Sequence, residues 1–475
     1  MLNTKEVIQY SGVAFGTSGA RGLVSDFTSN VCAAFASAFI SAIKPKFEFT
    51  QVAIAIDNRP SSIEMARACS AALVNMGIRP IYFGVIPTPA LAYYCIKKRI
   101  PGIMVTGSHI PFDRNGLKFY RPDGEITKAD EERILQQSLN IEPLNVLPLL
   151  NADSSASTEY IERYLSMFDS NFLKGKRVGI YEHSSAGRDL YRVIFEKLGA
   201  EVFSLDRTNE FVPIDTEAVS EEDQKKAHDW TVEYQLDLIF STDGDGDRPL
   251  VADEKGRWLR GDILGLLCAD ALHIEALAVP VSCNTAIEHC GKFKKVERTR
   301  IGSPYVIAAF DTLNQNYQRI AGFEANGGFI LGSDLRVDGQ MLYALPTRDA
   351  VLPALMLLKA TGLQPVSTLI NALPERYTFS ERIKDFPTER SKEILKKGAS
   401  EPDCLLSAIG LGGLTAARID LTDGLRIVLT NGDIIHFRPS GNAPELRCYA
   451  EASEAALARY YVFTGLNGIT SVMAK

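Results

Sequence analysis

The sequence predicts an α/β protein: three similar mixed α/β domains in succession, closed by a smaller α+β domain at the carboxyl end. Three observations carry this. The 475-residue length exceeds what one core organises and sets a prior of about three or four domains. One grammar recurs three times: apolar run, polar loop, amphipathic helix, glycine, apolar run, which is the βαβ signature. The last hundred residues change to a helix and a tight hairpin.

The first unit reads as a strand over "QVAIAID" (51–57), a helix from Ser62 to Met76, Gly77 and the run "RPIYFGV". The second is "RVGIYEH" (177–183), a helix from Asp189 to Leu198, Gly199 and "AEVFSL". The third is "LAVPVSC" (277–283), a helix over 303–315 and "YQRIAGFEA". "LNADSSAST" (150–158) and "ALPERYTFSER" (372–382) have linker composition, which favours separate domains over one large doubly wound sheet. Near the carboxyl end, "RSKEILKKGA" predicts a helix, and "GLRIVLT", "NGD", "IIHFRPS" an Asn-Gly hairpin.

Composition narrows the class. Hydrophobic content of 46%, charged content of 23% and a mean hydropathy near zero fit a soluble globular chain without long disorder. "ILGLLCADALHIEALAVPVSC" is interrupted by Asp270, His273 and Glu275 and reads as helix then strand, not as a membrane span. Eight scattered cysteines with no CxxC pair suit reduced thiols in a cytoplasm. A net charge of −7 argues against nucleic acid as the main partner. A local basic cleft for a small anion stays compatible with it.

The chemistry sits in short loops. "STDGDGDRP" (241–249) packs Asp243, Asp245 and Asp247 into five residues. Carboxylates this close disfavour one ordered loop unless a cation lies among them. A calcium hand would use these three and Glu254, but its turn glycine is replaced by Arg248 and its flanks read as strands. Mg²⁺ at a phosphoryl group suits three carboxylates and one further oxygen; a metal-free Asp-Gly turn is the plain alternative. "VTGSHIPFDRNGLKFY" (105–120) sets Ser108 after a strand, with His109 and Lys118 as groups to orient it or move protons. "GFEANGGFILG" (322–332) offers Glu324 as an acceptor for vicinal sugar hydroxyls. "RPSGNAPELR" (438–447) groups Arg438, Ser440, Gly441, Asn442 and Arg447 as a phosphate cradle. "FGTSGARG" (15–22) adds Arg21 on a flexible loop.

In this order and spacing the motifs resemble the α-D-phosphohexomutase superfamily, and within it the bacterial members acting on mannose phosphates. The likeness spans the chain: an FGTSGxRG start, a TASHNP-type serine loop, a DGDxDR metal loop, a GExSG-type sugar loop and an RxSGTEPxxR-type phosphate loop. The resemblance implies four domains around a central cleft, divided here at 1–152, 153–261, 262–374 and 375–475. It implies a mutase interconverting hexose 1-phosphate and 6-phosphate, with mannose phosphates favoured over glucose or glucosamine phosphates. Ser108 would carry a phosphate, completing with Asp243, Asp245 and Asp247 the ligands of one Mg²⁺, and hexose 1,6-bisphosphate would be primer and intermediate. Lys118, His109 and Arg21 would serve catalysis. Arg248, Glu324, Asn326, Arg438, Ser440, Gly441, Asn442 and Arg447 would hold substrate. No nucleic-acid or membrane partner is expected, and the enzyme would be a monomer or weak homodimer. A silent sugar-phosphate-binding paralogue is the alternative from another class.

Six departures from the family pattern stand out. Gly107 replaces the usual Ala and Ile110 the usual Asn; Asn442 and Ala443 replace the common Thr-Glu. In the sugar loop, Asn326 replaces the common Ser and Gly328 the common His, a position bearing on sugar choice.

Overall fold

The computed structural model describes residues 1–16, 19–108, 110–440 and 444–473. In the first unit, Val52 to Ala55 are fully buried in the strand Gln51–Ile56, which lies between the parallel strands Arg79–Val85 and Gly102–Val105. An unbroken apolar run is what a strand covered on both faces requires. The helix Ser62–Asn75 ends where Gly77 turns left-handed (φ 71°). The Gly77 amide donates to the Val74 carbonyl and the Ile78 amide to the Leu73 carbonyl, both at 2.9 Å. Glycine adopts this cap without a Cβ penalty. The second unit repeats the device with strand Arg177–Tyr181, helix Arg188–Lys197 and Gly199 (φ 96°).

The three α/β sheets share one topology. In each, a central first strand is flanked by parallel second and third strands, and a fourth runs antiparallel beside the third. The orders are Arg79–Val85, Gln51–Ile56, Gly102–Val105, Arg114–Arg121 in the first sheet and Glu201–Leu205, Arg177–Tyr181, Leu238–Thr242, Pro249–Ala252 in the second. In the third they are Lys295–Thr299, Ala276–Pro280, Ile320–Phe323, Phe329–Leu331. Further strands bring the first sheet to seven, among them Ala20–Leu23, and Leu345–Asp349 brings the third to five. Separate sheets exclude the single doubly wound alternative.

Two expectations need correction. In the third unit the run 317–325 is the third strand, not the second, because the strand Lys295–Thr299 intervenes. It is an edge strand with only Thr299 buried, and its lysine, glutamate and arginine read as a polar loop. The stretch 372–382 is not all linker, since Tyr377–Ile383 is the edge strand of the last sheet, paired with Leu446–Ala452.

That last sheet is antiparallel throughout, in the order Tyr377–Ile383, Leu446–Ala452, Ile434–Pro439, Leu425–Leu429, Ala416–Asp420. The expected hairpin pairs Leu425 with Phe437 and Val428 with Ile434. One apolar core runs through the three α/β domains, from Ala53 through Phe195 to Leu355. Within it the hydroxyls of Tyr160 and Tyr164, on the helix Ser155–Leu165, donate to the two oxygens of Asp349, at 2.7 Å for Tyr160. The stretch expected as helix then strand forms the helix Gly261–Ala271 and strand Ala276–Pro280. No helix among the described residues is long and apolar enough to cross a membrane.

The shared topology matters for chemistry. The connection from third to fourth strand carries Ser108 in the first sheet, the three aspartates in the second and Glu324 in the third. Each motif lies beyond the carboxyl end of a parallel strand, where open α/β sheets present ligand sites.

Candidate active site

Ser108 is buried and left-handed (φ 53°), a conformation costing a non-glycine residue about 1–3 kcal/mol and kept only where surroundings fix it. The fixing groups are identifiable. The Ser108 amide donates to Thr106 Oγ1 (2.8 Å), whose hydroxyl donates to Asp57 Oδ2 (2.8 Å). Arg59 donates through Nη1 to the carbonyls of Pro111 (2.7 Å) and Arg114 (2.9 Å), and through Nη2 to those of Ser108 (2.9 Å) and Ile110. Its guanidinium lies 3.9 Å from the centre of the Phe211 ring. A Cβ on Gly107 would stand 2.5 Å from Arg59 Cζ, so this departure from the usual alanine is the room the arginine occupies.

The Ser108 hydroxyl donates to Asp243 Oδ2 at 2.7 Å, 135 residues along the chain. Asp243, Asp245 and Asp247 are buried, and one carboxylate oxygen from each lies within 4.8 Å of the others. Lys118 Nζ donates to Oδ2 of Asp245 (2.5 Å) and Asp247 (2.8 Å), while the Thr88 hydroxyl donates to Asp245 Oδ2 (2.7 Å). Arg248 Nε lies 3.9 Å from Asp243 Oδ2 and 3.8 Å from Asp247 Oδ1. The strands on both sides of the loop exclude the calcium hand, and Glu254 is turned elsewhere, accepting from the Ser367 amide at 3.1 Å.

The electrostatics follow. Burial, then the negative charge of Asp245 and Asp247, pushes the Asp243 carboxyl up to about 8. Burial acts the same way on Asp245, but Lys118 and Thr88 override it and hold that carboxyl well below the usual range. Burial, then Arg248, lowers the Arg21 guanidinium to about 10. Oδ1 of Asp245 and of Asp247 are buried with no hydrogen-bond donor among the described residues. Two orphaned carboxylate oxygens in an all-oxygen set fit a hard divalent cation.

The sugar loop joins this cluster through a residue the sequence reading missed. Arg348, buried on the strand Leu345–Asp349, donates to Asp247 Oδ2 through Nε (3.2 Å), with Nη2 2.9 Å from the same oxygen, and to Glu324 Oε2 through Nη1 (3.1 Å). Asn326 caps its own turn: its Oδ1 accepts from the Gly328 amide (3.0 Å) and its carbonyl from the Thr216 hydroxyl (3.0 Å). Arg21, expected on a flexible loop, lies in the strand Ala20–Leu23 opposite Gly116.

Thus Ser108, Lys118, Arg21, the three aspartates, Arg248 and Glu324 come together. Arg438, Ser440 and Arg447 lie in the last domain: Arg438 Nε donates to Asp423 Oδ2 (2.8 Å), the Ser440 amide to the Glu445 carbonyl (2.8 Å), and Arg447 Nη2 lies 3.6 Å from Glu445 Oε2. His109, Gly441 and Asn442 fall outside the described residues. Between the two sets stands Glu217, also unforeseen. It is open to solvent, yet the surrounding protein raises its carboxyl, and Arg248, Glu324 and Arg447 are all near enough to act on it. Arg348, Thr88 and Glu217 belong to no glycine-marked loop; the one trace of Arg348 is a charged pair, "RD", ahead of an apolar helix.

Known proteins resemble this chain along its length. Models of the phosphoglucomutase/phosphomannomutase family match in order: alpha/beta/alpha domain I at residues 12–144, domain II at 158–256, domain III at 260–377 and the C-terminal domain at 383–462. A phosphomannomutase of Salmonella muenchen is 57% identical over 476 residues, covering 100% of this chain and 99% of the relative. One of Sinorhizobium fredii is 42% identical, covering 97% and 100%. A crystal structure of a phosphoglucomutase/phosphomannomutase family protein from Burkholderia thailandensis shares the fold, with a TM-score of 0.74 at 19% identity over 96% of this chain and 97% of that one.

Proposed function

The chain belongs to the phosphoglucomutase/phosphomannomutase family, and from that premise we propose that it interconverts mannose 1-phosphate and mannose 6-phosphate through a phosphate carried on Ser108 and a hexose 1,6-bisphosphate intermediate. The observation that carries this reading is the Ser108 hydroxyl on Asp243 at 2.7 Å, at the edge of three buried carboxylates with two orphaned oxygens. A nucleophile and a cation-binding group share one wall, as phosphoryl transfer requires.

Asp243, Asp245 and Asp247 would hold Mg²⁺, which when bound supplies charge neutralisation at the phosphoryl oxygens. The remaining work falls to side chains. Lys118, already on two of the carboxylates, delivers or takes the proton at the transferring sugar oxygen, and His109 orients the serine. Arg21 and Arg248 offset the charge that develops on the phosphoryl group. Glu324 accepts from the ring hydroxyls, with Asn326 shaping the turn beneath it. Arg438, Ser440, Gly441, Asn442 and Arg447, the motif of the last domain, grip the phosphate not being transferred.

The reading includes a cytoplasmic enzyme acting as a monomer or weak homodimer. Its eight cysteines are all free thiols, which agrees with a reducing compartment. The test is an assay primed with hexose 1,6-bisphosphate, comparing kcat/KM for mannose, glucose and glucosamine phosphates. Mannose phosphates should lead. Ser108→Ala should abolish turnover together with a phosphate-sized mass increment on the protein, and full activity of that variant would end the phosphoserine mechanism.

A further inference from the structure

We propose that Arg348 is the positioning residue of the sugar loop: it takes the place left by the family's common histidine at 328 and sets the carboxylate of Glu324 for hexose binding. The inference rests on the mutase reading and deepens it, by naming what determines hexose affinity at that site.

Three observations carry it. First, positions 328 and 348 exclude each other. A Cβ on Gly328 would stand 2.6 Å from both Cγ and Cδ of Arg348 and 2.9 Å from its Cβ. These atoms belong to the root of the side chain, which cannot swing aside as a tip can, so a larger residue at 328 demands a smaller one at 348. Second, the guanidinium spans two loops of different domains, the aspartate loop at Asp247 and the sugar loop at Glu324. Third, it engages Glu324 through Oε2 only, leaving Oε1 without a donor among the described residues. A carboxylate clamped on one oxygen presents the other in a fixed direction, the geometry needed to accept a hydroxyl. The planar fork of an arginine holds the two carboxylates in one fixed mutual geometry, which the flexible, point-like ammonium of a lysine does not impose.

The test is a cycle on positions 328 and 348 in the full-length protein, read as KM and kcat, as the calorimetric Kd for mannose 6-phosphate, and as phosphate uptake from hexose 1,6-bisphosphate by intact mass. Arg348→Ala should raise KM and Kd about tenfold, with kcat changed by less than about threefold. At saturating hexose 1,6-bisphosphate the final extent of phosphate uptake should follow kcat and change by less than about threefold. Gly328→His alone should be at least as impaired, whereas the double variant should return to within about threefold of the parent, a non-additivity that marks direct coupling. Arg348→Lys, which keeps the stem over Gly328, covers the case in which the alanine variant does not fold; its KM should rise about threefold to fivefold at constant kcat.

A KM and Kd within about twofold of the parent for Arg348→Ala, or a double variant no better than the worse single one, would overturn the proposal. A parent protein that binds mannose 6-phosphate without turning it over sinks the mutase reading alone, and the Kd series still decides the role of Arg348. A parent that binds no hexose phosphate sinks both.

Discussion

Gly107 and Gly328 stand at the same connection of two sheets with the same topology, and an arginine from elsewhere in the chain overlies each. Each arginine fills the space a Cβ would need, Arg59 with its guanidinium and Arg348 with its stem. Electrostatically they differ. Arg59 spends its hydrogen bonds on four main-chain carbonyls of its own domain and lies 3.3 Å from Asp57. Arg348 directs its guanidinium at the carboxylates of two loops from neighbouring domains. A buried arginine over a glycine can therefore fix the course of a backbone or the distribution of charge, and its partners decide which.

The largest effect expected from this contrast is that of Arg59→Ala. It removes the guanidinium donors of four carbonyls and the cation beside the buried Asp57 carboxylate, and should cost about 3–5 kcal/mol of stability in urea unfolding. A loss below about 1 kcal/mol would mean the serine loop holds its shape without the arginine.

Neither arginine titrates near neutral pH, so acid sensitivity here must come from another group. His183, beneath the aspartate loop with Nε2 on the Thr242 carbonyl at 2.9 Å, has its pKa lowered to about 4 by burial. Its folded value lies below the unfolded one, so stability is complete above pH about 6.5 and is lost as pH falls toward 4, by up to about 3 kcal/mol. Taken as the difference between the parent and His183→Asn, the unfolding free energy across that window should follow this slope, because His436, also lowered to about 4 by burial, and Asp243 contribute to both proteins alike.

Gly107→Ala tests the steric half of the comparison. The methyl must displace a guanidinium pinned on several sides, at about 1–3 kcal/mol, and a variant as stable as the parent would show that Arg59 yields. The smallest effect belongs to Thr88→Val. Asp245 loses a neutral donor but keeps Lys118, so the cost should be about 1 kcal/mol, and a larger one would assign the aspartate loop's order to the hydroxyl.

What was legible in the sequence follows from distance along the chain. Central strands such as Gln51–Ile56 announce themselves as apolar runs because both faces are covered. Lys295–Thr299 and Tyr377–Ile383 do not, because edge strands keep polar and half-exposed residues. The serine and aspartate loops were legible because each motif is contiguous. Arg348 reaches Asp247 from 101 residues away, and Arg59 reaches Ser108 from 49. Such partners are defined only by the packing of one element on another. The glycines at 107 and 328 mark where these arginines pack, visible in the sequence only as departures from a family pattern without a stated cause.

The repeated third-to-fourth strand connection also makes the catalytic apparatus modular. The proposed nucleophile, cation-binding carboxylates and sugar acceptor each occupy one copy of a common bracket. Recognition can therefore be exchanged as a cassette, provided that it is cut from two places at once: the loop 324–328 and the strand Leu345–Asp349 that carries its arginine. A graft of the loop alone would import a side chain at 328 into space already filled, and a chimaera that ignored position 348 would fail by collision before its chemistry was ever tried.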